Sequence, residues 1–285
     1  MRLKKLLASG LVVAVAAMAF ASVSFAAPHH PKGEFEQFGD CPLSRATLTD
    51  CIYSVSSSGS FTLGKKVVPL KNPVTLQGGF EGAGEEVKFF GAEDGNTLSK
   101  TPQPVPGGLL GITAPTWWPK SIQTWFNNLI SEGFTGVNAT VELARPATEI
   151  KLNTENLIFE EGVALQLPVK IHLENAILGS GCYIGSSSNP VVIPFTTGTS
   201  GKLKGAAGEI KFNPAFTLTT ISGGKLVNNT YSAPGASGCG GFLIEYLLDP
   251  LVNSIVGVPA GSGVNSAILE GVLKDGAAPA VRASE

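Results

Sequence analysis

The chain is poor in charge, in histidine and in sulfur for its length. Asp, Glu, Lys and Arg make up 15% of 285 residues, with three histidines, four cysteines and two methionines. Basic side chains number 20 against 22 acidic, so no basic surface for nucleic acid is expected. The sequence has no G-x-S-x-G elbow, H-E-x-x-H pair, P-loop or EF-hand loop, and no CxxC pair, so no motif calls for a cofactor or a metal. Ser222-Gly223-Gly224-Lys225 spells S-x-x-K, but the two glycines predict a turn rather than the helical turn that chemistry requires. Long apolar runs are also scarce. One spans Leu6–Phe25, and a second, Phe242–Pro259, is broken by Glu245, Asp249 and Pro250, which would be costly in lipid.

What is present begins with Met-Arg-Leu-Lys-Lys, the uncharged run and Ala26-Ala27-Pro28. A basic start, an apolar middle and small residues at Ser24 and Ala26 predict a signal peptide over residues 1–26, cut after Ala26. Its removal takes Arg2, Lys4 and Lys5 and leaves a net charge of about −5 on an exported chain without a transmembrane anchor. With 35 glycines and 19 prolines, that chain has the composition of many short strands joined by tight turns.

The strongest pattern lies between Val163 and Leu173, where Val163, Leu165, Leu167, Val169, Ile171 and Leu173 occupy every odd position. A period of two marks a strand with one face buried, about 36 Å long, in which Pro168 predicts a bulge, bend or edge. Val191, Ile193 and Phe195 repeat the alternation. Shorter strands are predicted over 52–56, 60–70, 74–77, 86–90, 137–143, 149–152, 209–212, 216–221, 225–227 and 267–274, the pair around Ser222–Gly224 forming a hairpin. The fold class expected is mainly β, an antiparallel sandwich or barrel-like domain over 41–285 with one or two short peripheral helices. Residues 27–40, which include His29 and His30, read as a flexible arm, and the Pro/Gly-rich stretch 91–119 reads as a long surface excursion.

Four cysteines in an exported chain predict two disulfides, for which sequence alone allows three pairings. Cys41–Cys51 and Cys182–Cys239 are favoured, since the first pins the start of ordered structure and the second ties the long strand to a Gly-rich loop. On the loop-entropy argument they would stabilise by about 3 and 4 kcal/mol.

Two helices are predicted. The first begins at Pro119, places Ile122, Trp125, Phe126, Leu129 and Ile130 on one stripe, and stops at Gly133. The second, over 242–256, places Leu243, Ile244, Leu247, Leu248, Leu251, Val252 and Ile255 inward, with a kink at Pro250.

Candidates for chemistry are sparse. His172 is the one general base in the body of the fold, beside Lys170 and Glu174, and reads as an exposed strand histidine. Glu85-Glu86, Glu93-Asp94 and Glu160-Glu161 are acidic pairs of the kind that serve glycoside hydrolysis or calcium, yet each sits beside a turn, where solvated acids are ordinary. Glu245 and Asp249 lie one helical turn apart. All three tryptophans, Trp117, Trp118 and Trp125, fall within nine residues. Trp117 and Trp118 are the binding candidates, since adjacent tryptophans do not both enter one core and an exposed one stacks on sugars or enters a membrane interface. The structural reading puts Trp125 in the core and Trp118 over the helix start as a staple.

The segments GCYIGSSSNPVVIPFTTGTS (181–200), NNTYSAPGASGCGGFLIEYLLDPLVNSIVG (228–257), VNSAILEG (264–271) and FGDCPLSRATLTDCIYSVSSSGSFTLGKK (38–66) resemble a group of exported proteins of high-GC Gram-positive bacteria. No activity is established for that group, so the resemblance implies export and paired cysteines and supplies no catalytic residue. Together these readings favour a non-catalytic β protein, secreted or associated with the cell envelope, that binds envelope glycan or lipid or serves a structural role. The alternatives are a secreted hydrolase using acids such as Glu160 or Glu161, and an apolar-ligand carrier or membrane-active protein.

Overall fold

The alternation around Leu167 forms the strand that organises one half of the molecule. In the computed structural model, which describes residues 29–84, 87–109, 113–132 and 135–285, Leu165, Leu167, Val169, Ile171 and Leu173 are all buried. The proposed leader, Glu85-Glu86, the helix stop at Gly133 and the side chains of Leu129 and Ile130 lie outside the described residues.

In chain order the strands are β1 (Asp50–Leu63), β2 (Lys66–Pro69), β3 (Val74–Glu81), β4 (Lys88–Gly91), β5 (Gln103–Pro104), β6 (Asn138–Leu143), β7 (Lys151–Leu152) and β8 (Leu165–Glu174). They continue as β9 (Tyr183–Ile184), β10 (Val191–Phe195), β11 (Thr199–Ser200), β12 (Leu203–Lys204), β13 (Glu209–Phe212), β14 (Leu218–Asn228), β15 (Ala236–Ser237) and β16 (Ser266–Ala277). The helices are α1 (Lys120–Glu132), α2 (Thr154–Phe159), α3 (Glu245–Val256) and α4 (Ala278–Ala283). One seven-stranded sheet runs β13-β14-β16-β1-β3-β4, with β2 also on β1. The other runs β15-β9-β8-β6-β5, with β7 and β10 also on β8. All pairings are antiparallel and neither sheet closes on itself. Their inner faces share one apolar layer, in which Ile52, Leu76, Phe80 and Leu269 of the first meet Leu167, Val169, Ile171 and Ile193 of the second. The fold is a β-sandwich.

Pro168 is buried in the middle of β8, where no edge exists. Its carbonyl accepts from Ala144 N at 2.9 Å, so its missing donor faces the interval between the end of β6 and the start of β7. No ladder bond is required there. The expected hairpin at Ser222–Gly224 is instead a bulge inside the continuous strand β14. A second bulge interrupts β1 between Ser56 and Ser58, and both lie opposite Gly271 of β16. A Cβ at Gly271 would collide with the Val55 carbonyl, so the backbones of β1 and β16 approach closely at the bulge in β1. The stretch expected as one strand over 60–70 turns at Gly64-Lys65 to give β1 and β2.

The N-terminal arm is ordered from His29 onward, against expectation. Gly33–Phe38 forms a 3-10 turn, whose three-residue period puts Phe35 and Phe38 on one side. Both are buried on the outer face of the first sheet with Leu43, Leu48, Phe90, Leu218, Val281 and the Cys41–Cys51 disulfide. Without that cover the outer face would expose Phe90 and Leu218, which is why a polar-looking arm folds down. The excursion at 91–119 is likewise only partly at the surface. Leu98, Gln103 and Val105 are buried. Gln103 Oε1 accepts from Lys71 N and Asn72 N at 2.8 and 3.0 Å, so its side chain stands in for a strand partner.

Two carboxyl groups stand on neighbouring strands of the first sheet. Asp275 lies opposite Ile52, two residues along β1 from Asp50, and its Oδ1 has no hydrogen-bond partner among the described residues. Burial, and secondarily the charge of Asp50, pushes the Asp275 carboxyl up to about 7, and burial raises Asp50 as well.

Folded, Asp275 keeps its proton to about pH 7, whereas unfolded it releases it near pH 3.8. The folded state binds the extra proton between those values, so stability falls as pH rises through that window. Asp275→Asn is expected to flatten the dependence and to stabilise the protein at pH 8 by up to about 4 kcal/mol, read by urea unfolding at pH 4, 6 and 8. A parallel pH profile for the variant would contradict this. On β8, Leu167→Asp should cost about 4 kcal/mol or more by burying an unpaired charge, and Gln166→Asp under about 1 kcal/mol. Equal midpoint shifts would contradict the inward-facing row.

Candidate binding surface

The tryptophan segment rises from one end of the second sheet. Leu109 N donates to Thr135 O at 2.6 Å and closes the base of the stretch 110–134. Within it, Trp118 N donates to Pro115 O and Ala114 N to Asn127 Oδ1, which folds the turn back on α1. Gln123 Nε2 donates to the carbonyls of Thr116 and Trp118 and holds the turn. Trp118 packs edge-on against Phe126 with centroids 5.5 Å apart, and Trp117 stands perpendicular to Trp118 at 6.0 Å. Trp118 is thereby anchored and half-buried, while Trp117 is 81% exposed. Trp125 is 64% exposed rather than core.

A second apolar surface lies on α3 and the residues leading into it. Val252 is buried as expected and Leu248, Ile255 and Val256 are half-buried, but Leu243, Ile244, Leu247 and Leu251 face outward with Phe242 and Tyr246. Pro250 is accommodated inside the helix. Asp249 accepts from Gly238 N and Cys239 N at 3.2 and 2.8 Å, and Asn253 Oδ1 accepts from Ala236 N at 2.6 Å. These bonds tie α3 to the loop of the Cys182–Cys239 disulfide and engage the Asp249 carboxylate with backbone amides. A cavity of about 30 Å³ lined by Val105, Leu109, Val137, Leu173, Val252 and Val256 joins the inner side of α3 to the root of the tryptophan segment. Both apolar surfaces therefore belong to the same end of the sandwich.

The acidic candidates are engaged locally. Glu93 lies 3.2 Å from His29 and accepts from Ser44 N, while Asp94 accepts from Asn96 N in its own turn. Glu160 ends α2 with φ of 60° and accepts from Ala207 N at 2.9 Å, while Glu161 and Glu245 are exposed. No two of these face each other across a cleft. His29 also meets Glu285 and Lys32 bonds the Glu285 carbonyl, so the polar arm clasps the C-terminal residues.

His172 is mostly buried rather than exposed, because Tyr183 of β9 stacks on its ring at 4.5 Å. Its Nδ1 lies 3.4 Å from Glu174 and 3.8 Å from Glu142, and Lys170 Nζ lies 3.2 Å from Glu142 and 4.0 Å from the Tyr183 ring. Sequence reasoning missed Glu142, which reaches His172 only across the pairing of β6 with β8. Beside this cluster an open basin of about 640 Å³ is lined by Arg145, Glu149, Lys151, Gln166 and Pro168, but Arg145 is already paired with Glu149 at 3.0 Å. Ser222 and Lys225 lie on a bulged strand, where Lys225 pairs through its backbone with Ala206.

Between the sheets, a cavity of about 40 Å³ lined by Phe61, Leu63, Val141, Ile171, Ile193 and Tyr231 has room for water-sized occupants and none for an acyl chain. The Tyr231 hydroxyl lies 3.0 Å from the Thr62 and Ser266 carbonyls, and burial raises its pKa. Among the described residues no three His, Cys, Asp or Glu side chains converge as a metal site requires, and no helix is long and apolar enough to cross a membrane. Compared with protein-family models, curated proteins and solved structures, the chain matches none.

Proposed function

We propose that this is an exported, non-catalytic protein of the cell envelope or its surroundings, which attaches to envelope lipid or glycan through the Trp117–Trp118 turn and the exposed side of α1. The observation that carries this reading is Trp117, a large side chain left 81% exposed on a turn whose backbone is fixed by Gln123 and whose neighbour Trp118 is anchored on Phe126. A fixed aromatic platform loses little conformational freedom on binding and brings large apolar area to the contact. Trp125 and Ile122 extend the platform along α1. The two disulfides and the resemblance to exported proteins of high-GC Gram-positive bacteria fit an oxidising compartment. Among the described residues, Glu160 and Glu161, named for the hydrolase reading, face no other carboxylate across a cleft, and the cavity between the sheets is too small for an acyl chain.

Purified protein is expected to sediment with isolated envelopes. Trp117→Ala should weaken that binding about tenfold or more while leaving the unfolding midpoint unchanged, because the side chain touches little of its own protein. Trp118→Ala should weaken binding and also loosen α1, seen as a loss of helical circular dichroism. Lipid vesicles and delipidated wall glycan, offered separately, identify which material is held. If the Trp117 variant binds envelopes like the parent, the assignment is wrong.

A further inference from the structure

The surface on α3 is separate from the tryptophan turn and differs from it in kind. Phe242, Leu243, Tyr246 and Leu247 are 86%, 76%, 71% and 57% exposed, and Ile244 and Leu251 add to the same patch. Phe and Tyr each bury on the order of 150–250 Å² when covered and Leu and Ile somewhat less, so the exposed parts of these six side chains amount to roughly 700 Å². That exceeds the largest apolar patch of an ordinary monomer, about 300–600 Å², and approaches the roughly 800 Å² per partner of a specific protein interface.

Two occupants suit so large an apolar surface: a lipid layer and another protein. Helices that lie on lipid carry Lys and Arg along their polar side, and residues 240–256 contain none. Their only charges are Glu245 and Asp249, and Asp249 is turned inward to the amides of Gly238 and Cys239. An aromatic and aliphatic centre with one acid near its rim has the composition of a protein interface core.

The spacing selects the partner. Leu247 and Leu251 form a ridge of residues four apart on α3, with Tyr246 beside it, and Phe242 and Leu243 extend the patch from the turn that leads into the helix. Ridges of this spacing fit grooves of the same spacing when two helices cross at about −50°. A two-fold axis through the crossing lets each copy place the same ridge in the other's groove, so the surface is complementary to itself. The helix is held in place by Asp249 and Asn253, so the face exists before any partner arrives. We propose that Phe242–Leu251 is an isologous interface with which two copies of this chain form a dimer. The dimer does not depend on the role given to Trp117.

Sedimentation equilibrium of the purified protein from 1 to 100 μM tests it. A monomer–dimer equilibrium is expected, with a dissociation constant at or below about 10 μM. The double variant Leu243→Ser/Leu247→Ser should be monomeric throughout, with near-UV circular dichroism like the parent, and Trp117→Ala should dimerise as the parent does. Should the double variant misfold, Leu247→Cys decides, since a residue at the crossing forms an interchain disulfide rapidly under mild oxidation. A parent that stays monomeric at 100 μM overturns the proposal, as does a folded double variant that still dimerises or a Leu247→Cys protein that fails to cross-link. Monomeric parent that binds phosphatidylcholine vesicles through Leu243 and Leu247 would also overturn it and make the occupant lipid.

Discussion

The contact on which this structure depends is the apolar row of β8 pressed against the inner face of the opposite sheet. β8 is paired along both edges, with β6 and β7 on one side and β9 and β10 on the other. Each neighbour takes its register from it. A slip of one residue would turn Leu165, Leu167, Val169, Ile171 and Leu173 to water and bring Lys170, His172 and Glu174 into the core. The inner row thus also fixes where the outer polar cluster forms, and Glu142 meets His172 because Leu143 and Val141 are held in step with Val169 and Ile171.

Periodicity and cysteine spacing made much of this legible. The alternation from Leu165 to Leu173, the sandwich class and both disulfides are as expected from residues alone, whereas Val163, expected in the same buried row, precedes β8 and is 43% exposed. Illegible features share a different cause. A stripe on a helix says which residues are apolar and not whether anything covers them, so Leu243, Leu247 and Trp125 look like core residues in sequence and lie at the surface. Two adjacent glycines predict a turn or a bulge alike, and it is the pairing of β14 with β16 on both sides of Ser222–Gly224 that makes it a bulge. Phe35 and Phe38 sit in a polar stretch, and their burial depends on a sheet face that another part of the chain supplies. The candidate surface was half visible. Trp117 and Trp118 stood out by composition, while Phe242 and Tyr246 carry no signal of exposure.

The outer face of the first sheet shows how economically the apolar surface is closed. Short pieces from both ends of the described chain, the 3-10 turn at Gly33–Phe38 and α4, meet over Cys51, Phe90 and Leu218. His29 and Lys32 then reach Glu285. The inner side of the same sheet carries Asp50 and Asp275 within its interior, an arrangement more comfortable in acid than in alkali.

The neighbours at the middle of that sheet are β1 and β16, the earliest and latest strands of the described chain, joined from Asp50–Ala277 to Thr62–Ser266. Every intermediate length of polypeptide lacks this central pair. Until the final strand arrives, β14 and β1 have each lost their shared partner, and the sheet is two fragments with open edges. The topology therefore acts as a clock. A chain made N-terminus first completes the middle of this sheet only once β16 is available to join β14 to β1.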